Sequence, residues 1–180
     1  MKKILAFAGS NSSTSINFKL IKYTSSLLTG AETTVLNMVN YPFPMYSQDL
    51  EKESGFSNSL GELHTDIQNS DGLLISVNEH NGHLSAYFKN LIDWLSRFNR
   101  GFLKDKKICL LSASPGKGGG KRANDLANQL FTMMGAEVIT TFVLPSFNAN
   151  FDAENNLITD EELDSALKAA LTLFLDRVNQ

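Results

Sequence analysis

Apolar residues along this chain follow two alternating rhythms. Runs with little polar interruption read as strands: ILAFA over 4–8, TTVLNMV over 33–39, GLLISV over 72–77, KKICLLSAS over 106–114 and EVITTFVL over 137–144. The continuously apolar ones are of the kind covered on both faces. Between them, apolar residues recur every three or four positions. Leu20, Ile21, Leu27 and Leu28 do so over 18–28, and Leu60, Leu63, His64 and Ile67 over 57–70. Leu84, Phe88, Leu91, Ile92 and Leu95 form a third stripe, residues 123–134 carry a fourth, and Leu163, Leu167, Leu171 and Phe174 a fifth. Such spacing predicts helices with one buried side. Gly30 and Gly135 end two of them, while Asp160, Glu161 and Glu162 open the last. Residues 41–55, YPFPMYSQDLEKESG, read as a long loop broken by prolines, and 145–156 as another.

Alternating strands and helices predict an α/β fold: a parallel sheet with helices on both faces, joined by right-handed crossovers. Without a break in composition, the 180 residues are expected to form one domain. Sheets of this kind bind ligands beyond the carboxyl ends of their strands. The loops after strands one, three and four (10–15, 78–83 and 112–121) are all rich in small and polar residues, so one ligand spanning them is the economical reading. The first is the most pointed. A strand leaves through Gly9 into Ser10, Ser12, Ser13, Thr14 and Ser15, and a helix starts near Ile16, capped by Ser15 or Thr14. Unpaired N–H groups and a partial positive charge make such a helix start a seat for phosphate. A serine-rich turn with an ordinary cap is the plainer alternative.

Composition narrows the partners. With 42% hydrophobic and 19% charged residues, a net charge of −3 and no basic block, neither nucleic acid nor an anionic membrane is expected. The single cysteine, Cys109, lies in an apolar run and is expected to pack as a small core residue in a reducing, cytoplasmic setting. His64, His80 and His83 lack zinc-cluster spacing, so no metal is expected. The start MKKILAFA imitates a signal peptide, but its apolar patch is too short and reads as the first strand.

Three segments resemble the NAD(P)H-dependent FMN reductases and their quinone- and azo-reducing relatives. GSNSSTSIN, residues 9–17, is similar to the phosphate loop G-S-x-R-x-x-S-x-N. NEHNGHLSAYFKNLIDWLSR, residues 78–97, is similar to the flavin-ring loop and helix P-E-Y-N-x-S-x-P-G-x-L-K-N-x-I-D-W-L-S-R. SASPGKGGG, residues 112–120, is similar to the third flavin loop, S-x-S-x-G-x-x-G-G. The resemblance implies a flavodoxin-like three-layer sandwich with strand order 2-1-3-4-5, bound FMN, and NADPH or NADH as co-substrate. It also implies ping-pong hydride transfer to a quinone, azo compound or free flavin, in a homodimer or homotetramer.

The same resemblance assigns Ser10, Ser15, Ile16 and Asn17 to the phosphate, and Asn78, Glu79, His80 and Asn81 to the ring edge, largely through backbone groups. Ser114, Gly116, Lys117 and Gly118 form the third wall, with Lys117 facing the pyrimidine end, where a cation stabilises the reduced anion. No side chain is assigned acid–base or nucleophilic work. Lys89, Asp93 and Trp94 read as structural, and the aromatic loop 41–46 is a candidate lining for a pocket shared with a second subunit. Lys121 and Arg122 read as a solvated helix start, with the 2′-phosphate of NADPH as the alternative.

Departures from the pattern matter. Ser12 stands where the pattern has arginine, removing a charge-assisted bond of about 1.5–3 kcal/mol. Asn78 and His80 replace proline and tyrosine, and His83, Leu84, Ser85 and Ala86 replace S-x-P-G. These changes leave an FMN-binding module with little turnover as the alternative function. A phosphotransfer receiver needs aspartates where the first strand ends in AFAGS, and a Walker loop needs a G-K-[ST] that GGGKRA lacks.

Overall fold

The computed structural model describes residues 1–180 and places the elements in the alternation the pattern predicts. In chain order they are β1 (Lys2–Ala8), α1 (Ile16–Ser26), β2 (Ala31–Leu36), α2 (Gln48–Ser54), α3 (Asn58–Asn69) and β3 (Gly72–Val77). A short hairpin of β4 (Glu79–His80) and β5 (His83–Leu84) leads into α4 (Ala86–Phe98). Then come β6 (Lys107–Ala113), α5 (Lys121–Met133), β7 (Glu137–Leu144), α6 (Phe147–Asn150), β8 (Phe151–Asp152), β9 (Leu157–Ile158) and α7 (Glu161–Asn179). The main sheet runs β2-β1-β3-β6-β7 with every pair parallel. Counting only those strands, this is the flavodoxin-like order 2-1-3-4-5.

Strand period decides which layer each side chain joins. Leu5, Phe7, Leu73, Ile75, Ile108 and Leu110 face α3, α4 and α5 in one buried cluster. Their neighbours Ile4, Ala6, Leu74, Cys109 and Leu111 face α1 and α7 in the other. Every residue of β3 is buried, as its unbroken apolar run requires. Cys109 sits fully inside, where burial pushes its thiol up to about 12, so it packs as an inert core residue.

Three boundaries differ from the sequence reading. The second strand is Ala31–Leu36, and the chain turns into a 3-10 helix over Met38–Asn40 once Asn37 caps it. The long aromatic segment contains α2, capped by Ser47. Residues 145–156 include α6 and half of the β8–β9 hairpin.

The conspicuous K-N-x-I-D-W-L-S-R run turns out to fasten that aromatic segment. Asn90 accepts from the Tyr46 N–H at 2.8 Å and donates to the Pro44 carbonyl at 2.9 Å, which Trp94 also reaches at 2.8 Å. Tyr46 stands edge-on to Trp94 with ring centres 5.1 Å apart, and Arg97 meets Glu51 at 2.9 Å. Lys89 and Asp93 pair along the helix at 2.7 Å.

On the opposite face, α1 is tied to α7 by Tyr23, which donates to the Asp164 carboxylate, and Lys168 approaches Asp164 at 2.6 Å. Burial alone would raise the Asp164 carboxyl. Hydrogen bonds from Lys168 and Tyr23 outweigh it and hold the group below its ordinary value of 3.8. A depressed carboxyl stabilises the fold above that ordinary value, and the contribution is lost as pH falls through the folded value. Asp164→Asn is therefore expected to melt below the parent at pH 7, with the gap closing as pH falls below 3.8. Thermal melts at a series of pH values check this, and a gap that stays constant would contradict it.

Candidate functional site

β1 ends at Ala8, and Gly9 must pass close to α4. A Cβ there would lie 2.6 Å from the Phe88 ring, so only glycine fits without displacing it. Ser85, the cap of α4, donates to the Gly9 carbonyl at 3.0 Å while accepting from the Phe88 N–H at 3.1 Å. The hydroxyl loop then curls on itself. Ser10 Oγ accepts from the Ser12 N–H, and Ser12 Oγ from the Thr14 N–H, both at 3.3 Å. Ser15 caps α1 by accepting from the Phe18 N–H at 3.1 Å, leaving its own hydroxyl proton free. The N–H groups of Ile16 and Asn17 have no acceptor in the chain, as befits the first turn of a helix.

These groups open into a cavity of about 270 Å³ at the carboxyl ends of β1, β3 and β6. Ser10, Ser15, Ile16 and Asn17 line one side; Asn78, Glu79 and His80 a second; Ser114 belongs to the third. The loops after strands one, three and four therefore meet, as the sequence reading expected. Asn81, Gly116, Lys117 and Gly118 belong to the same loops but stand outside the lining. Conversely, Ala113 and Pro115 line the cavity without having been singled out, as do Ser12 and Thr14, which were named among the loop's hydroxyls but not assigned to the ligand. The hydroxyls of Ser12 and Thr14 were the available signal. The aromatic loop 41–46 contributes nothing to this wall. Another hollow of about 200 Å³, lined by Lys3, Asn69 and Ser70, lies at the amino end of the sheet, where such folds do not bind.

Two residues have side-chain roles the sequence did not disclose. Asn17 was expected to donate to phosphate, but most of its carboxamide is engaged inside the protein. Its Oδ1 accepts from Ser76 Oγ at 2.7 Å and from the Ala113 N–H at 2.9 Å, and its Nδ2 donates to the Ala113 carbonyl at 3.1 Å. Its backbone N–H and the second Nδ2–H have no acceptor in the chain. Asn17 thus clasps the start of α1 to β3 and β6. Glu79 reaches α5, where its carboxylate accepts from the Ala123 N–H at 3.2 Å. Gly120 precedes α5 and offers no side-chain cap, so Glu79 fills that place from another loop.

The third loop is drawn in by one carbonyl. Gly116 accepts from Ser114 Oγ at 3.2 Å, the Gly119 N–H at 3.2 Å and the Ser146 N–H at 2.9 Å. Gly118 has nothing within 4 Å of where a Cβ would stand, so neither packing nor backbone demands glycine there. It leaves an open surface. In the cavity wall, the carboxamide oxygen of Asn78 is buried with no donor in the chain.

The family model described as NADPH-dependent FMN reductase matches residues 2–149, covering all three loops. The chain belongs to the NADPH-dependent FMN reductase family. Within it, a quinone reductase of Escherichia coli is 29% identical over 133 residues, covering 73% of this chain and 71% of that protein. An NAD(P)H-dependent FMN reductase of Pseudomonas aeruginosa is 27% identical over 180 residues, covering 98% and 96%. The solved structure of the flavoenzyme NAD(P)H:(acceptor) oxidoreductase FerB of Paracoccus denitrificans superposes with a TM-score of 0.79 at 25% identity, covering 99% of this chain and 98% of that one. An azoreductase of Bacillus anthracis, at 16% identity and a TM-score of 0.65, shares the fold. As a member of this family the chain is an oxidoreductase. No helix in it is long and apolar enough to cross a membrane.

Proposed function

We propose that this FMN reductase family member binds FMN in the cavity at the amino end of α1. It then moves hydride from NADPH or NADH to a small-molecule acceptor, a quinone, azo compound or free flavin, with donor and acceptor alternating at one site. The observation that supports this most is convergence: a bare helix start, free hydroxyls and two further loop walls meet in one cavity. The residues fit the group. The Ile16 and Asn17 N–H groups and the Ser10 and Ser15 hydroxyls suit a phosphate dianion. The unpaired Asn78 oxygen in the cavity wall suits a donor edge on the remainder of the ligand.

Bound FMN supplies a carrier that accepts a hydride and gives it up again, chemistry that needs no protein nucleophile. The chain's work is to bind and to orient. No lysine or arginine lines the cavity, so the helix dipole and backbone donors balance the phosphate. Glu79 is committed to the Ala123 N–H, which makes it a wall support rather than a proton donor. The quinone reductase and FMN reductase relatives support the acceptor classes.

The test is direct. Titration with FMN should quench flavin fluorescence to saturation, and anaerobic mixing of the complex with NADPH should bleach the visible band within seconds. Uptake without bleaching would favour the binding module, and absence of uptake would end the proposal. Ser15→Asp isolates the phosphate seat, because aspartate caps a helix as well as serine does. It should keep the fold and weaken FMN by roughly tenfold, or about 1.4 kcal/mol, by setting a carboxylate against the dianion. A variant that binds FMN as tightly as the parent would place the phosphate elsewhere.

A further inference from the structure

The β4–β5 hairpin beside the cavity turns through Asn81 and Gly82, both with positive φ, so that His80 and His83 stand opposite each other. Arg122, in the first turn of α5, lies across its tip. Its Nη1 and Cδ come within 3.4 and 3.5 Å of the point where a Gly82 Cβ would sit. This guanidinium makes no ion pair, and no hydrogen bond engages it.

The neighbouring charges show why it is free. Glu79 is on the same hairpin, yet its Oε2 accepts from the Ala123 N–H and it forms no ion pair with Arg122. Asp125 is taken by Lys121, which holds both its oxygens at 2.7 and 2.8 Å. Lys117, on the adjacent loop, is exposed and likewise unpaired. Neither nearby carboxylate pairs with it, and a planar cation with five donors stays uncommitted at the tip of the hairpin that carries His80, a residue of the cavity wall. A guanidinium in that state recognises phosphate in forked geometry.

We propose that Arg122 anchors a phosphate group of the dinucleotide co-substrate, which makes it a binding residue for the second ligand outside the cavity lining. This rests on the FMN reading above and adds to it the residue that holds the second ligand. Two phosphate sources share this chemistry: the pyrophosphate common to NADH and NADPH, and the 2′-phosphate carried by NADPH alone.

The experiment uses the FMN-loaded protein and its Arg122→Gln variant, with oxidised NADP⁺ and NAD⁺ as unreactive probes in calorimetric titrations. FMN affinity is measured first, so that a failure of flavin binding is seen separately. Arg122→Gln should leave FMN affinity and melting temperature unchanged and weaken dinucleotide binding about fivefold to tenfold. Loss for both probes assigns the pyrophosphate, and loss for NADP⁺ alone assigns the 2′-phosphate. Arg122→Lys should recover part of the loss, and added salt should weaken the parent more than the glutamine variant. Equal affinity of parent and Arg122→Gln for both probes would overturn the proposal.

Discussion

Asn17→Ala is expected to lower the melting temperature by about 10 °C. The substitution removes a buried carboxamide whose hydrogen bonds join three elements: its own helix α1, Ser76 of β3 and Ala113 of β6. Asn17 is 2% exposed, so no water replaces those bonds without opening the site. The Ser76 hydroxyl and the Ala113 N–H would be left buried without partners, each costing about 1–3 kcal/mol. A total near 3–4 kcal/mol corresponds to roughly 10 °C in a chain of this size, at about 2–4 °C per kcal/mol. The same variant should bind FMN more weakly, because the free N–H groups of α1 lose their fixed position over the sheet. Thermal unfolding and FMN titration check both parts. A variant melting within a degree or two of the parent would show that the clasp is dispensable.

Gly119→Ala is the second large effect. Gly119 has φ +60°, where a Cβ strains the backbone by roughly 1–2 kcal/mol. A Cβ would also overlap Val143 Cγ1 and come within 3.0 Å of the Leu144 carbonyl carbon and the Pro145 nitrogen. The last two are backbone atoms that cannot swing aside, and overpacking of this sort costs about 1–3 kcal/mol. Together these predict a loss near 3 kcal/mol, about 6–12 °C. Gly118→Ala is the control: with ordinary φ and nothing within 4 Å, it should melt like the parent. If the two alanines destabilise equally, the cause lies in the loop's composition and not in the conformation of one residue.

What was legible in the sequence was whatever local pattern could encode. Unbroken apolar runs located the strands of the main sheet, and the hydroxyl loop after Ala8 located the bare helix start. The strand order and the joining of the three loops came from the family resemblance together with the general habit of α/β sheets. α2 escaped because none of its residues is buried, which leaves no apolar period to read; its Ser47 cap and acidic first turn, Asp49 and Glu51, were the remaining signals. The β4–β5 hairpin has the Asn-Gly turn expected of such structures, but its strands of two residues fall below any pattern's reach. The engagement of Asn17 was hidden for another reason. Its partners lie 59 and 96 residues away, so its side chain looked available until the sheet brought Ser76 and Ala113 beside it. Glu79, whose partner is 44 residues distant, is the same case.

That last bond gives the cleft a polarity. Two helices, α1 and α5, aim their positive ends toward its margins, but α5 is already neutralised by an acid belonging to the chain. The start of α1 keeps the Ile16 and Asn17 N–H groups without an acceptor, whereas at α5 the Lys121 N–H goes to Gly118 and the Ala123 N–H to Glu79. Under the FMN reading proposed above, that asymmetry between the two helix starts favours one direction for a ligand with a single charged tail, its phosphate toward α1.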